Sequence, residues 1–420
     1  MFRRWIALAV AIALFVLAPR ARAEDGDQYT VSVITFGPGD HPFFKFGHNA
    51  ILIEEARPRR QIVFNFGTFG FGSWTLLPEF LRGRLSYWLS TSSLERTVRH
   101  YRAENRTVDQ QVLGLTAAQK RDLVAALREN ALPENMYYRY DYYLDNCSTR
   151  VRDAIDRVLG GRLRQAAGAA ARQSFRDHTL RLTADSPHIY FALDAAMTAQ
   201  IDQPITVWDE MFLPVRVQET LREVRVPDDA GGERPLVVSE RRLVEAPGRA
   251  PLRDAPPRSL PYYAGIGVAF GASLLALGRR ARRSRSARVL LGALLVPLGL
   301  VIGVLGVLFA LLWATDHRVA HGNENLLQIV PWALLLVGSG IGVARARPRS
   351  IERAYRVATS ALVASALGVV LQVLPWFRQE NGRVIALMLP LWAGMALGLR
   401  ALAKPPAPAP PAPGPAEGAA

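Results

Sequence analysis

The sequence predicts a mixed α/β domain followed by an all-α membrane domain of about five helices. Three observations carry this. Residues 28–225 alternate strand-like and helix-like patterns over a length adequate for one core. Apolar runs at about 260–278, 289–314, 326–343, 357–375 and 384–402 are each long enough to cross a bilayer. Between these two regions, residues 226–258 are rich in Pro, Arg, Asp and Glu and read as a linker.

The elements follow in chain order. Residues 1–23 carry Arg3 and Arg4, an apolar run from Ile6 to Ala18 and Ala21-Arg22-Ala23 before Glu24-Asp25, the layout of a signal peptide. Arg20 and Arg22 are unusual so near a cleavage site, which leaves an uncleaved anchor open. Tyr29 to Phe36, Ile51 to Glu54 and Ile62 to Phe66 are strand-like. Ser73 to Leu89 is aromatic and apolar, with helical character in part. Thr116 starts a helix over Ala117 to Glu129. Asp145 or Asn146 caps another, in which Val151, Ala154, Ile155, Val158 and Leu159 fall at helical spacing until Gly160-Gly161 ends it. The membrane domain spans 259–402, and residues 403–420 form a Pro/Ala-rich tail expected to be disordered.

Loop charges orient the spans. Arg279-Arg280-Ala281-Arg282-Arg283-Ser284-Arg285 and the stretch Arg345 to Arg356 are basic, while Asp316 to Asn325 is nearly neutral. The positive-inside rule places the basic loops in the cytoplasm and residues 24–258 outside. A multi-pass protein of the bacterial inner membrane with a periplasmic N-terminal domain is the expectation. The formal charge of +15 then belongs largely to loops facing anionic lipid, and a nucleic-acid-binding function is a poor fit.

The chain holds one cysteine, Cys147. A lone thiol outside the cytoplasm is either an inert buried residue or a working nucleophile. Cys147 lies in the first turn of its helix, where unpaired amides and the helix dipole favour a thiolate. The same amides are candidates to hold an oxyanion. A nucleophile of this kind needs a base. His48 begins the strand-like Phe46-Gly47-His48-Asn49-Ala50-Ile51-Leu52-Ile53 and is the best placed; a structural histidine at a strand start is the competing reading. His41 reads as a loop residue, and His100, His178 and His188 as surface residues. One cysteine excludes paired-cysteine metal sites, and His-Glu-x-x-His, a P-loop and Gly-x-Ser-x-Gly are all missing. No metal or soluble cofactor is expected.

Several blocks then carry a resemblance. In order they are Phe46-Gly47-His48-Asn49-Ala50-Ile51, Phe64-Asn65-Phe66-Gly67-Thr68-Phe69, Phe80-Leu81-Arg82-Gly83, Pro133-Glu134-Asn135, Tyr138-Arg139-Tyr140-Asp141 with Asp145-Asn146-Cys147, and Glu210-Met211-Phe212-Leu213-Pro214. Together they resemble the Lnb N-terminal periplasmic domain family over most of residues 28–220, with an extension to Thr315-Asp316-His317 and Asn323-Glu324-Asn325. The resemblance implies a lipoprotein N-acyltransferase whose nucleophile and histidine map onto Cys147 and His48. Histidine before cysteine is also similar to lecithin–retinol acyltransferases, circularly permuted relatives of NlpC-type peptidases. That analogy makes the expected fold an α+β papain-like one.

The expected chemistry is ping-pong acyl transfer. The donor is a membrane phospholipid, and the acceptor is the α-amine of a diacylglyceryl-cysteine lipoprotein. Asn65 is the candidate to orient His48, against a plain strand-edge hydrogen bond. Asp145 and Asn146 are candidates beside the nucleophile. Asp316, His317, Asn323 and Asn325 are candidates to bind headgroups or complete the site, against a polar turn between helices. Two rivals stand beside this reading: a periplasmic cysteine amidase acting on cell wall or protein, and a non-enzymatic envelope scaffold.

Overall fold

The computed structural model describes residues 26–70, 76–228 and 231–403. The expected signal segment and the tail beyond 403 lie outside them. The described residues form two compact units. One comprises 26–70, 86–171 and 205–251; the other comprises 76–85, 172–204 and 252–403.

The first unit is built on a seven-stranded antiparallel sheet. Its strands are β1 (Tyr29–Phe36), β2 (His48–Glu55), β3 (Arg60–Thr68), β4 (Ser86–Ser93), β5 (Val108–Leu113) and β6 (Tyr137–Arg139). After the two-stranded hairpin β7 (Arg225–Pro227) and β8 (Glu233–Pro235), β9 (Val237–Val244) completes the sheet, in the order β6-β4-β3-β2-β1-β5-β9. β-Branched and aromatic residues fill the central strands, and their period of two sorts them onto two faces. Val31, Val33, Ile51, Ile53, Phe64 and Phe66 point to one face. There they meet Leu123 and Leu127 of helix Ala117–Asn130, Val151 and Ile155 of helix Cys147–Val158, and Val217 and Leu221 of helix Pro214–Glu223. Ile34, Phe36, Ala50, Leu52 and Val63 point to the other, under helix Leu94–Ala103. The helix expected to start at Thr116 does so through a capping box with Gln119.

The expected linker 226–258 holds a strand. β9 pairs with β5 along its length, anchored by Arg242 on Asp109 at 2.7 Å. Its six central positions include Glu240, Arg241 and Arg242, because an edge strand exposes much of its surface and needs no apolar alternation.

In the second unit, helices Leu260–Ala281, Arg285–Leu312, Pro348–Leu371 and Gly382–Ala403 are each long and apolar enough to cross a membrane. The run expected at 326–343 is not one straight helix. It comprises short 3₁₀ turns at Glu324–Leu327 and Pro331–Leu334 and a helix over only Leu335–Ala344, within a pair bent by 61°. Pro331 supplies no N–H to a continuing helix, and a hydropathy scan does not register that break. Counted as one span, the bent pair makes five. The first and last long helices meet along small residues: a Cβ on Gly271 would lie 2.2 Å from the Pro390 carbonyl oxygen, so only glycine permits this approach.

Two stretches from before the linker belong to this unit. Helices Phe175–Thr183 and Pro187–Ala196 enter a buried polar lattice with it. Asp194 accepts from Arg176 Nη1 at 2.9 Å and from Arg383 Nε at 2.7 Å, and both Arg176 and Asp194 are fully buried. Arg176 also pairs with Asp202. The Asn323 and Asn325 side chains each donate to the Ala195 carbonyl, at 2.8 and 2.9 Å.

Candidate active site

The site is assembled at the start of the Cys147 helix. Asn146, not Asp145, is the cap. Its Oδ1 accepts the Ser148 and Thr149 amides at 2.8 and 3.0 Å, and Thr149 Oγ1 accepts the Asn146 amide at 2.7 Å. Asn146 Nδ2 donates to the carbonyls of Tyr142 (2.8 Å) and Phe212 (3.0 Å), which ties the helix start to two other segments. Asp145 instead forms a fork-to-fork pair with Arg150, at 2.6 and 2.8 Å. The Arg150 guanidinium lies over the Tyr138 ring at 3.7 Å. Asp141 closes the preceding turn by accepting the Tyr143 and Leu144 amides.

Cys147 is a free thiol, 8% exposed, on the same buried face as Val151 and Ile155. Burial on its own pushes the thiol pKa up. The positive charge and hydrogen bonding of His48 act against that, with help from the Asn49 amide and the Ser148 hydroxyl. The net result is a thiol lowered from 9.0 to about 7. Ser148 Oγ lies 3.9 Å from the sulfur.

His48 reaches Cys147 from the first position of β2. Gly47, at φ +84°, makes the turn into the strand, a conformation costly for residues with a Cβ. His48 is the register partner of Phe36, and their rings stack at 5.6 Å. Phe36 stacks in turn on Tyr101 at 3.8 Å. Packing of rings therefore holds the imidazole plane. Asn49 is fully buried, with Nδ2 donating to Thr35 Oγ1 at 2.9 Å and Oδ1 without a partner.

The sequence reading missed two further features of the site. Gly67, also at φ +84°, lies against the nucleophile: a Cβ there would sit 3.3 Å from Cys147 Cβ, 3.5 Å from Tyr140 Cε2 and 3.7 Å from the Tyr138 hydroxyl. A file of aromatic rings adjoins it, with Tyr140 stacked on Tyr87 at 4.1 Å and Tyr87 against Phe69 at 5.1 Å. Two of the sequence blocks supply Gly67, Phe69, Tyr138, Tyr140 and Cys147, which is the signal that joins them, while Tyr87 lies in none.

Other candidates fall elsewhere. Asn65 makes no hydrogen bond to His48. Phe64 and Phe66 face the Cys147 helix, so the residue between them turns away, and Asn65 Nδ2 donates to Ser92 Oγ at 3.3 Å. His41 is exposed and caps the turn Pro42–Phe44. His100 and His188 are exposed as expected. His178 is not a surface residue: it is 1% exposed in the second unit, and its Nδ1 accepts from Arg181 Nε at 3.0 Å. Its charged neighbours suggested solvent, but they are internal partners.

Asp316, His317, Asn323 and Asn325 all belong to the second unit and are engaged within it. Asp316 pairs with Arg84 at 2.9 Å, and its amide donates to the Arg82 carbonyl at 2.8 Å. A Cβ on Gly83 would lie 2.8 Å from the His317 nitrogen. Asn323 and Asn325 are the buried clamps on Ala195 described above.

Residues 19–185 match the Lnb N-terminal periplasmic domain family. The resemblance that the sequence blocks carry holds over these residues. The match takes in His48, Gly67, Tyr138 and Cys147, while the Phe212 carbonyl that anchors Asn146 lies beyond it. The matched part is followed in the same chain by four helices, or five with the bent pair, long and apolar enough to cross a membrane. No curated protein and no solved structure matches the chain.

Proposed function

We propose that this protein is a membrane-bound lipoprotein N-acyltransferase working through a Cys147 thioester. The observation that carries the reading is a buried thiol lowered to about 7 by a neighbouring histidine, within a domain of the Lnb family. The apolar spans of the same chain support substrates that reside in a bilayer.

His48 accepts the Cys147 proton. The thiolate attacks an ester carbonyl of a membrane phospholipid, and the lysophospholipid alkoxide leaves with the proton from His48. The α-amine of a diacylglyceryl-cysteine at a lipoprotein N-terminus then attacks the thioester. His48 takes the amine proton, the amide forms and the thiol is regenerated. Anchoring donor and acceptor in one bilayer raises their effective concentration near the nucleophile. The N-terminal domain would act on the periplasmic side, with the basic stretches at 279–288 and 345–356 in the cytoplasm. A reporter fused after Gly322 should then be active only as a periplasmic reporter, and one after Arg285 only as a cytoplasmic one.

The deciding experiment is mass spectrometry of lipoprotein N-terminal peptides from cells with and without the protein. An added acyl group should require the wild-type chain and vanish with Cys147→Ala. Acylated N-termini in the Cys147→Ala strain would sink the reading.

A further inference from the structure

Acyl transfer to a thiol passes through a tetrahedral oxyanion, which needs donors not already in use. The helix start offers few. The Ser148 and Thr149 amides are taken by Asn146 Oδ1, and the Arg150 amide is taken by the Asn146 carbonyl at 3.1 Å. Of the first turn this leaves the amide of Cys147 itself. A second donor must come from another element.

One buried donor beside Cys147 lacks an acceptor. Among the described residues the buried Tyr138 O–H has no acceptor, while the Gly67 amide approaches its oxygen. A buried donor left without an acceptor is costly, so its persistence calls for a use. Its oxygen lies 3.7 Å from the Cβ direction of Gly67, and Cys147 Cβ lies 3.3 Å from that same point. The ring is clamped, with Arg150 stacked over it at 3.7 Å and Asp145 holding Arg150. Short β6 pairs Tyr138 with Tyr87 of β4 and fixes the backbone that carries it. Asn49 Oδ1 is also without a partner among the described residues, but it is an acceptor and cannot serve an oxyanion.

We propose that Tyr138 is a catalytic residue, its phenol O–H donating to the oxyanion formed when Cys147 attacks an acyl ester. The proposal rests on the thioester chemistry given above. In the step, the Cys147 sulfur forms a bond to the carbonyl carbon, and the carbonyl π pair moves onto oxygen. That oxygen accepts hydrogen bonds from Tyr138 and the Cys147 amide. Collapse restores the carbonyl and expels the alkoxide, which takes its proton from His48. Tyr138 keeps its own proton throughout. Burial, the largest influence on this phenol, raises its pKa and keeps it a donor.

The test compares the full-length wild type with Tyr138→Phe, which keeps the ring and its contact with Arg150. Thioester formation from p-nitrophenyl decanoate is followed by intact-protein mass spectrometry. Alkylation by iodoacetamide, a displacement with no oxyanion, is followed in parallel. Loss of one oxyanion donor should slow acylation on the order of 10²-fold, with alkylation unchanged. Equal acylation rates, a matching loss in both reactions, or no thioester on the wild type would each overturn the assignment. If the wild type forms the thioester and Tyr138→Phe forms it slowly, yet neither acylates a lipoprotein amine, the role of Tyr138 stands and the acyltransferase reading fails.

Discussion

Asn146 donates its side-chain amide to the Phe212 carbonyl at 3.0 Å, and this bond holds the start of the Cys147 helix to a segment 66 residues further on. The same side chain caps the helix through Oδ1. One residue therefore sets both the pitch and the position of the nucleophile.

Replacing it separates these roles. Asn146→Ala removes the cap and takes a donor or acceptor from two amides and two carbonyls, so a loss of about 2–4 kcal/mol is expected. Asn146→Asp keeps the acceptor for Ser148 and Thr149 but cannot donate to Phe212 at neutral pH. It should cost less than alanine in denaturant unfolding, while its added negative charge beside the sulfur raises the thiol pKa. Equal losses for both variants would show that the cap contributes nothing.

The Cys147–His48 pairing fixes a pH dependence. The thiol is lowered from 9.0 to about 7, so its thiolate appears as pH rises through 7 rather than 9. Iodoacetamide alkylation should follow that rise. In His48→Ala the pull toward the thiolate is gone while burial still opposes it, so the midpoint must move upward. His41→Ala should leave the curve in place, since His41 is exposed and caps the turn Pro42–Phe44. An unchanged midpoint in His48→Ala would rule out the pairing.

Gly67 tests how tightly the site is built. At φ +84° an alanine is strained by about 1 kcal/mol or more. Its Cβ would also press on Cys147 at 3.3 Å. Gly67→Ala is expected to lower the melting temperature by several degrees and to slow alkylation of Cys147 as the sulfur is displaced. Normal reactivity alongside lowered stability would mean that the strain is absorbed away from the thiol.

Local chemistry made much of this legible. An Asn-Cys step before residues at helical spacing located the helix that begins at Cys147, and a glycine before an alternating run located the strand that begins at His48. β6 was hidden because three residues establish no period, and β9 because a charged edge strand resembles a linker. Tyr138 and Gly67 were hidden for a different reason. Their importance lies in meeting Cys147 across about eighty residues of chain in one case and nine in the other, which no local pattern encodes. Asn65 shows the reverse hazard: a polar residue between two phenylalanines looks placed for function, yet strand alternation turns it toward Ser92.

The second unit bears on where the chain can be cut. Residues 172–204 precede the linker, yet Asp194 there is fully buried and satisfied by Arg383 from near the last span. The Ala195 carbonyl likewise accepts from Asn323 and Asn325. A chain ending at residue 258 keeps Arg176 with Asp194 but loses Arg383, Asn323, Asn325 and Gln379, whose Nε2 donates to the Met197 carbonyl at 2.9 Å, leaving buried polar groups open. Breaking such a network costs about 3–5 kcal/mol per buried ion pair, more than two short helices recover alone. Limited proteolysis of a 24–258 fragment should therefore cut within 172–204, while the full chain in detergent is protected there. Asp194→Ala in the full chain should reproduce that sensitivity, since it takes the carboxylate from Arg383 and leaves Arg176 only Asp202. Protection of 172–204 in the fragment equal to that in the full chain would show that these helices fold without the membrane part.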